Sequence, residues 1–455
     1  MHLSPAFCGL ACPDCDDLAD GPVGVDVADW TDSNTDVEAD SNSDIHTDSN
    51  TDVEAAGEPR SLAAADVTGR CPDCGSPREA VYDYDAVDAA ALVGSAAASD
   101  DPSPAAGEPS PGGLGHWRFE ALLPVGAADA VTAGEGSTPL VAADRLADEL
   151  GVAGVYIKDE GRNPTGTVLD RGMSLAVTAL RGLAEPSDAE PVALATTGNG
   201  GQSAAAYLGR LGLRSYSFVP SRTAFSNKAM INVHDGGMRV VGGRYADAAD
   251  AVDEQLAGEY TSLQEFDTPY RHEGPKTIAF ELYVDLGGLP EFVFVPTSTG
   301  EVVTGICRGF EELAALGLVD DTPTVVAVQP TSCAPIAAAV DRGLEVPEPW
   351  AVPDTIVGEL EVPDPAGGER AVAALERTGG SAITADDSDI LESATAVARH
   401  EVVEMGAAGG AAPAGAWNWA EDVGFAGDET VVLLNTESGT KTPDILRSHL
   451  MGQGV

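Results

Sequence analysis

From Trp117 onward, short apolar runs alternate with helical stretches, and this alternation limits the fold more than any other feature of the chain. Runs at 191–197, 215–219, 239–242, 291–296, 324–328 and 430–435 read as strands: each is brief, apolar or β-branched, and bounded by Gly, Pro or polar residues. Helical stretches are expected at 171–183, 203–211, 246–258, 303–316, 387–404 and 411–420. Strands alternating with helices make βαβ units, so the fold class is α/β, with mostly parallel sheets covered on both faces. Residues 114–455 are long enough for two such lobes with a cleft between them, the smaller lobe spanning about 190–285.

The first quarter of the chain is different. Residues 1–89 form an N-terminal region interrupted at about 17–68 by an acidic, polar insert, in which Thr31 through Ala39 recurs as Thr47 through Ala55. With almost no apolar side chains to bury, that insert cannot offset its ordering entropy and is expected to be disordered. A second stretch at 90–113, rich in Ala, Ser, Pro and Gly, reads as a flexible linker.

Acidic residues are not confined to the insert. Asp and Glu total 74 against 24 Lys and Arg, for a net charge of −50. Self-repulsion on this scale opposes compaction unless salt screens it, and at about 1 M salt the Debye length falls to about 3 Å. The expectation is therefore a protein adapted to a salt-filled cytoplasm. Nucleic acid is excluded as a partner class, since phosphate contacts need basic patches. No segment reaches the roughly 20 apolar residues of a membrane helix, and the N-terminus lacks the basic-then-apolar pattern of a secretory signal.

Four of the seven cysteines form two matching knuckles, Cys12-Pro13-Asp14-Cys15 and Cys71-Pro72-Asp73-Cys74. Four thiolates in this pattern suit a structural zinc site in a reducing compartment. The separation between the pairs is far longer than in an ordinary ribbon, but closing a longer loop costs little extra. Two unrelated reduced pairs, or a redox pair, remain open alternatives. Cys8, Cys307 and Cys333 read as small buried hydrophobes.

Several segments carry a family resemblance. Trp117-Arg118-Phe119, Leu122-Leu123-Pro124 and Glu135 through Leu140 look like the opening of archaeal threonine synthases. Lys158-Asp159-Glu160-Gly161-Arg162-Asn163-Pro164-Thr165-Gly166-Thr167-Val168-Leu169-Asp170-Arg171-Gly172-Met173 resembles that family's cofactor-lysine segment. Further similar segments are Thr197-Gly198-Asn199, Glu273 through Glu281 and Thr436 through Lys441. The chain thus resembles a threonine synthase-like protein of the fold type II (tryptophan synthase β-like) pyridoxal-phosphate family, of haloarchaeal type. The resemblance implies the two-lobed architecture with an N-terminal zinc ribbon. It also implies that Asn199 meets the cofactor's phenolic oxygen, that Thr436 serves its pyridine nitrogen, and that relatives dimerise.

Two departures bear on function. Relatives hold pyridoxal phosphate on a lysine that also moves protons on the substrate; the matching position here is Leu169, which can do neither. The phosphate loop is replaced by Pro296-Thr297-Ser298-Thr299-Gly300-Glu301, so that Glu301 is expected beside the phosphate, while Ser298 and Thr299 suit an uncharged ligand. Asp170 and Arg171 read as a cap and a charge pair at a helix start. The expected function is a ligand-binding or regulatory pseudoenzyme with a small molecule in the inter-lobe cleft and zinc in the ribbon. No catalytic residue is assigned, and any pyridoxal phosphate would be held without a covalent link. The alternatives are an active amino-acid lyase or synthase with a non-covalent cofactor, or a subunit pairing with itself or with a catalytic paralogue.

Overall fold

The structure, a computed structural model, describes residues 2–13, 70–71, 73–90, 92, 114–183 and 185–452. Cys15, the acidic insert and nearly all of the linker lie outside these residues. After two N-terminal strands, β1 (Phe7–Ala11) and β2 (Glu79–Tyr82), the chain runs through β3 (Leu140–Ala142), α1 (Asp144–Leu150), β4 (Gly154–Asp159) and α2 (Leu169–Arg181). It continues as β5 (Val192–Ala195), α3 (Asn199–Leu211), β6 (Ser215–Pro220), α4 (Phe225–Val233), β7 (Gly237–Val241), α5 (Tyr245–Leu256) and β8 (Thr261–Ser262). Helices α6 (Tyr270–Glu273) and α7 (Lys276–Leu286) lead to β9 (Phe292–Pro296), α8 (Glu301–Ala315), β10 (Thr324–Pro330), α9 (Pro335–Arg342) and α10 (Gly368–Arg377). The C-terminal part holds β11 (Ser381–Ala385), α11 (Asp387–His400), α12 (Ala411–Asp422), β12 (Thr430–Asn435) and α13 (Pro443–Leu450).

Two sheets organise these elements. The larger has the order β11-β10-β9-β12-β4-β3, parallel except for the antiparallel edge strand β3; the smaller has the order β7-β6-β5-β8 and is parallel throughout. Every residue of β5 is buried, as are Val293 through Pro296 of β9 and Val431 through Asn435 of β12. Such continuous apolar runs belong to strands covered on both faces. The α/β expectation holds, and all six expected strands form. Beyond these six, the structure adds β1 and β2 in the N-terminal region and, within the two sheets, β3, β4, the two-residue β8, and β11, whose small residues carry little strand signal. The helix expected over 387–404 ends at His400, and Val402 takes φ +60°.

Close backbone approaches fix the region between the sheets. A side chain at Gly172 on α2 would place its Cβ 2.1 Å from the carbonyl oxygen of Arg271, so α2 and α6 can meet only over glycine. At Gly300 the backbone has φ +92°, and an added Cβ would sit 2.7 Å from the Gly367 carbonyl. That glycine lets β9 turn sharply into α8.

The N-terminal strands pair antiparallel and make polar contacts with α6, α7, α8 and α10. Tyr82, fully buried on β2, donates to Glu273 Oε2 at 2.5 Å while Lys276 Nζ stands 4.0 Å over its ring. Arg308 and Arg370 both pair with Glu79. No helix among the described residues is long and apolar enough to cross a membrane.

Candidate functional site

The C-terminal ends of strands from both sheets converge on one cavity, where open α/β sheets place ligands. Strand β5 passes through Thr197 and Gly198 to Asn199 at the start of α3, and β9 passes through Ser298, Thr299 and Gly300 to Glu301 at the start of α8. Strand β12 ends next to Thr436, and α2 opens on Leu169. The cavity has a volume of about 80 Å³, and Leu169, Thr197, Asn199, Ser298, Thr299, Glu301 and Thr436 all line it. Gly198 and Gly300 shape the wall from behind: Gly198 backs onto Asn227, and Gly300 onto Gly367. A larger cavity of about 570 Å³ adjoins it and shares Thr197, Tyr245 and Glu359.

Glu301 is not the lone carboxylate that the sequence suggested. Arg271, a residue that sequence reasoning passed over, grips it with two bonds, Nε to Oε1 at 2.9 Å and Nη2 to Oε2 at 2.6 Å. Arg271 Nη1 also donates to the Leu263 carbonyl at 2.8 Å and to Glu265 Oε2 at 3.1 Å. Tyr245 completes the cluster, its hydroxyl donating to Glu265 Oε1 at 2.6 Å. Burial raises the pKa of Glu301, Arg271 pulls it down, and Glu265 raises it further; the net direction is upward. Two carboxylates thus share one guanidinium whose three nitrogens are already engaged.

Glu359 was also missed, and Glu437, inside the Thr436–Lys441 segment, was given no role of its own. Glu359, in the 3-10 turn Gly358–Leu360 before α10, lines both cavities, and its Oε2 accepts no hydrogen bond from the described residues. Burial, and then the charge of Glu437, push its pKa up to about 8. Glu437 accepts from Asn199 Nδ2 at 2.5 Å, and burial raises its pKa too. Asn199 Oδ1, like Glu359 Oε2, has no partner among the described residues. A folded-state pKa above the unfolded value means that the native protein holds a proton which the unfolded chain releases, so stability falls as pH rises from about 4.5 to about 8. Glu359→Gln removes that titration. Its thermal midpoint should exceed the wild-type value by several degrees at pH 9 and match it near pH 4.5, as differential scanning calorimetry at fixed salt would report.

The turn that leads into Leu169 is tied down by buried side-chain bonds. Asp170 does not cap the helix; it accepts from Thr165 N, Thr165 Oγ1 and Ser203 Oγ, each at 2.6 Å, tying the preceding turn to α3. Burial outweighs these bonds and lifts its pKa to about 6. Arg171 is fully buried and bonds to Glu160 Oε1 and Oε2 at 2.7 Å and to Glu281 Oε1 and Oε2 at 2.8 Å. Burial would lower its pKa, but the two carboxylates reverse this and raise it.

No lysine lines the smaller cavity among the described residues. Lys158 pairs with Glu281 at 2.7 Å, Lys276 with Glu273 at 2.7 Å and Glu312 at 3.0 Å, and Lys228 donates to the Ser221 carbonyl at 2.9 Å. Lys441 is buried beside the larger cavity and donates to Gln202 Oε1 at 2.6 Å; burial lowers its pKa against the pull of Glu437.

At the N-terminus, the sulfurs of Cys12, Cys71 and Cys74 lie within 4.8 Å of one another, with Cys12 and Cys74 at 3.5 Å. Such thiolates suit tetrahedral zinc, in which Zn–S bonds are about 2.3 Å. Cys307 and Cys333 are buried as expected, whereas Cys8 is only half-buried.

The profile of the family described as "pyridoxal-phosphate dependent enzyme" matches residues 131–437. The chain belongs to that family. Threonine synthase from Methanosarcina acetivorans is 33% identical over 330 residues, covering 72% of this chain and 80% of the relative. Threonine synthase from Mycobacterium tuberculosis is 34% identical over 346 residues, covering 75% and 92%. Within the family it is therefore a threonine synthase-like protein. Among solved structures, the processed form of threonine deaminase isoform 2 from Solanum lycopersicum has a TM-score of 0.59 at 20% identity, covering 70% of this chain and 84% of that one. Diaminopropionate ammonia lyase from Escherichia coli has a TM-score of 0.60 at 17% identity, covering 70% and 89%. These likenesses show the fold type II architecture.

The family's cofactor fits this cavity poorly at its aldehyde and at its phosphate. Leu169 offers no amine to an aldehyde, and a phosphate against Ser298–Glu301 would meet the Glu301 carboxylate beside a guanidinium already committed to it.

Proposed function

We propose that this chain is a ligand-binding member of the threonine synthase-like family that forms no Schiff base and turns over no amino-acid substrate. The observation that carries this reading is the aliphatic side chain of Leu169 in the wall of a cavity lined by no lysine among the described residues. Covalent capture and proton transfer both need an amine there, and the cavity supplies carboxylates, hydroxyls and one engaged arginine instead. Incubation with pyridoxal phosphate and O-phosphohomoserine, threonine or serine in molar salt should give no product above background. Measurable turnover would remove the reading.

A second reading, an active lyase or synthase, is favoured by Asn199 and Thr436 lining one cavity and by Lys441, a buried amine with a lowered pKa at the adjoining one. Borohydride reduction followed by peptide mapping separates the two: an adduct on Lys441 supports the second reading, and its absence the first.

For the N-terminal region the same reading includes a structural zinc held by Cys12, Cys15, Cys71 and Cys74, supported by the three described sulfurs that already face one another. The purified chain should carry one equivalent of zinc, and Cys71→Ser should lose it.

A further inference from the structure

The cavity that holds Leu169 presents two buried oxygens in need of donors. Asn199 is 7% exposed and Glu359 is 8% exposed, both line the cavity, and neither Asn199 Oδ1 nor Glu359 Oε2 accepts a hydrogen bond from the described residues. A buried acceptor without a donor keeps its desolvation cost uncompensated, so a site with two of them favours a ligand that brings N–H groups. The charges around them agree. Glu265 and Glu301 face the cavity against Arg271 alone, Glu359 joins them as a third carboxylate above its pKa of about 8, and Arg271 spends its nitrogens on Glu301, Glu265 and the Leu263 carbonyl. Behind this wall, Glu437 accepts from Asn199, while Lys441 is turned to Gln202 and Arg222 to Glu361 at 2.6 Å. Among the described residues that line this cavity, Arg271 is the one cation, so no uncommitted cationic donor faces an anion there.

Size narrows the class further. The Leu169 cavity itself, at about 80 Å³, lies well below the roughly 150 Å³ at which an engineered cavity accepts benzene. The part of a ligand seated there is therefore small, and anything longer extends into the adjoining cavity of about 570 Å³. We propose that this cavity binds a small primary ammonium compound, its N–H groups donating to Asn199 Oδ1 and Glu359 Oε2, and that it rejects phosphate. This rests on the ligand-binding reading above and names the ligand chemistry of that site. The hydroxyls of Ser298, Thr299 and Thr436 receive the uncharged polar end of the molecule.

Isothermal titration of the full chain in molar sodium chloride at pH 9, above the pKa of about 8 at which Glu359 ionises, tests it with ethylammonium, tetramethylammonium, inorganic phosphate and pyridoxal phosphate as probes. Ethylammonium should bind with a stoichiometry of one. Tetramethylammonium, which carries the charge without N–H groups, and phosphate should show no saturable heat. Glu359→Gln, checked for an unchanged near-ultraviolet circular dichroism spectrum, should weaken ethylammonium at least tenfold. Should that variant misfold, the ethylammonium–tetramethylammonium comparison on the wild type decides alone. Absence of ethylammonium binding, equal binding of both cations, or saturable phosphate binding overturns the proposal. If ethylammonium fails and no Schiff base forms with pyridoxal phosphate, the ammonium assignment falls while the ligand-binding reading stands. Covalent capture of pyridoxal phosphate in the same titration removes the reading itself.

Discussion

Arg171→Met will cost the fold at least about 3–5 kcal/mol, the usual penalty for removing one partner of a buried ion pair. The expected loss lies at or above that range because one guanidinium serves two buried carboxylates, Glu160 and Glu281. Glu281 would keep Lys158 at 2.7 Å, and Glu160 would keep only Thr138 and Asn163. Urea denaturation at constant molar salt measures the effect. Its pH dependence has a fixed sign. Burial works to raise the pKa of Glu281, but Arg171 and then Lys158 hold it well below the ordinary carboxylate value. The stabilisation is therefore complete above the unfolded carboxylate pKa, about 4.3, and fades as pH falls toward the depressed folded value. The gap between variant and wild type should narrow on acidification. An unchanged midpoint for Arg171→Met would mean that this quartet does not hold α2 in place.

Lowering the salt from about 1 M to about 0.1 M is expected to destabilise the wild type more than most single substitutions, since the Debye length grows from about 3 Å to about 10 Å. With a net charge of −50, like charges that were screened from one another then repel across the surface. Buried pairs are screened much less, so the penalty for Arg171→Met should be nearly the same at both salt concentrations. Thermal unfolding of both proteins across a sodium chloride series separates the surface contribution from the buried one. A wild-type midpoint independent of salt would contradict the reading of the acidity as salt adaptation.

What the sequence makes legible is local. The segments around Leu169, Asn199, Ser298–Thr299 and Thr436 each sit at the end of a strand or the start of a helix, and consecutive residues betray them. Strands such as β5 and β9 announce themselves as unbroken apolar runs. The charges that set the cavity's character do not. Glu301 looks isolated because its partner Arg271 is 30 residues away, on a four-residue helix with no periodicity of its own. Glu437 meets Asn199 across 238 residues, and Glu359 lies in a three-residue 3-10 turn too short to show any periodicity. Asp170 and Arg171 look like ordinary helix-start residues; only burial reveals one as the anchor of a turn and the other as the centre of an ion-pair quartet. A buried side chain in a loop is specified by tertiary packing, which leaves no trace in residue spacing.

The central claim is that an aliphatic side chain stands where an amine would seize the cofactor's aldehyde. Visible absorbance spectroscopy with added pyridoxal phosphate in molar salt, on wild type and on Leu169→Lys, tests it most directly. The account predicts no Schiff-base band for the wild type, and for Leu169→Lys at most a weak one, because Glu301 still opposes the phosphate. A Schiff-base band in the wild type, with the reduced adduct mapping to Lys441 or any other amine of the cleft, would contradict it.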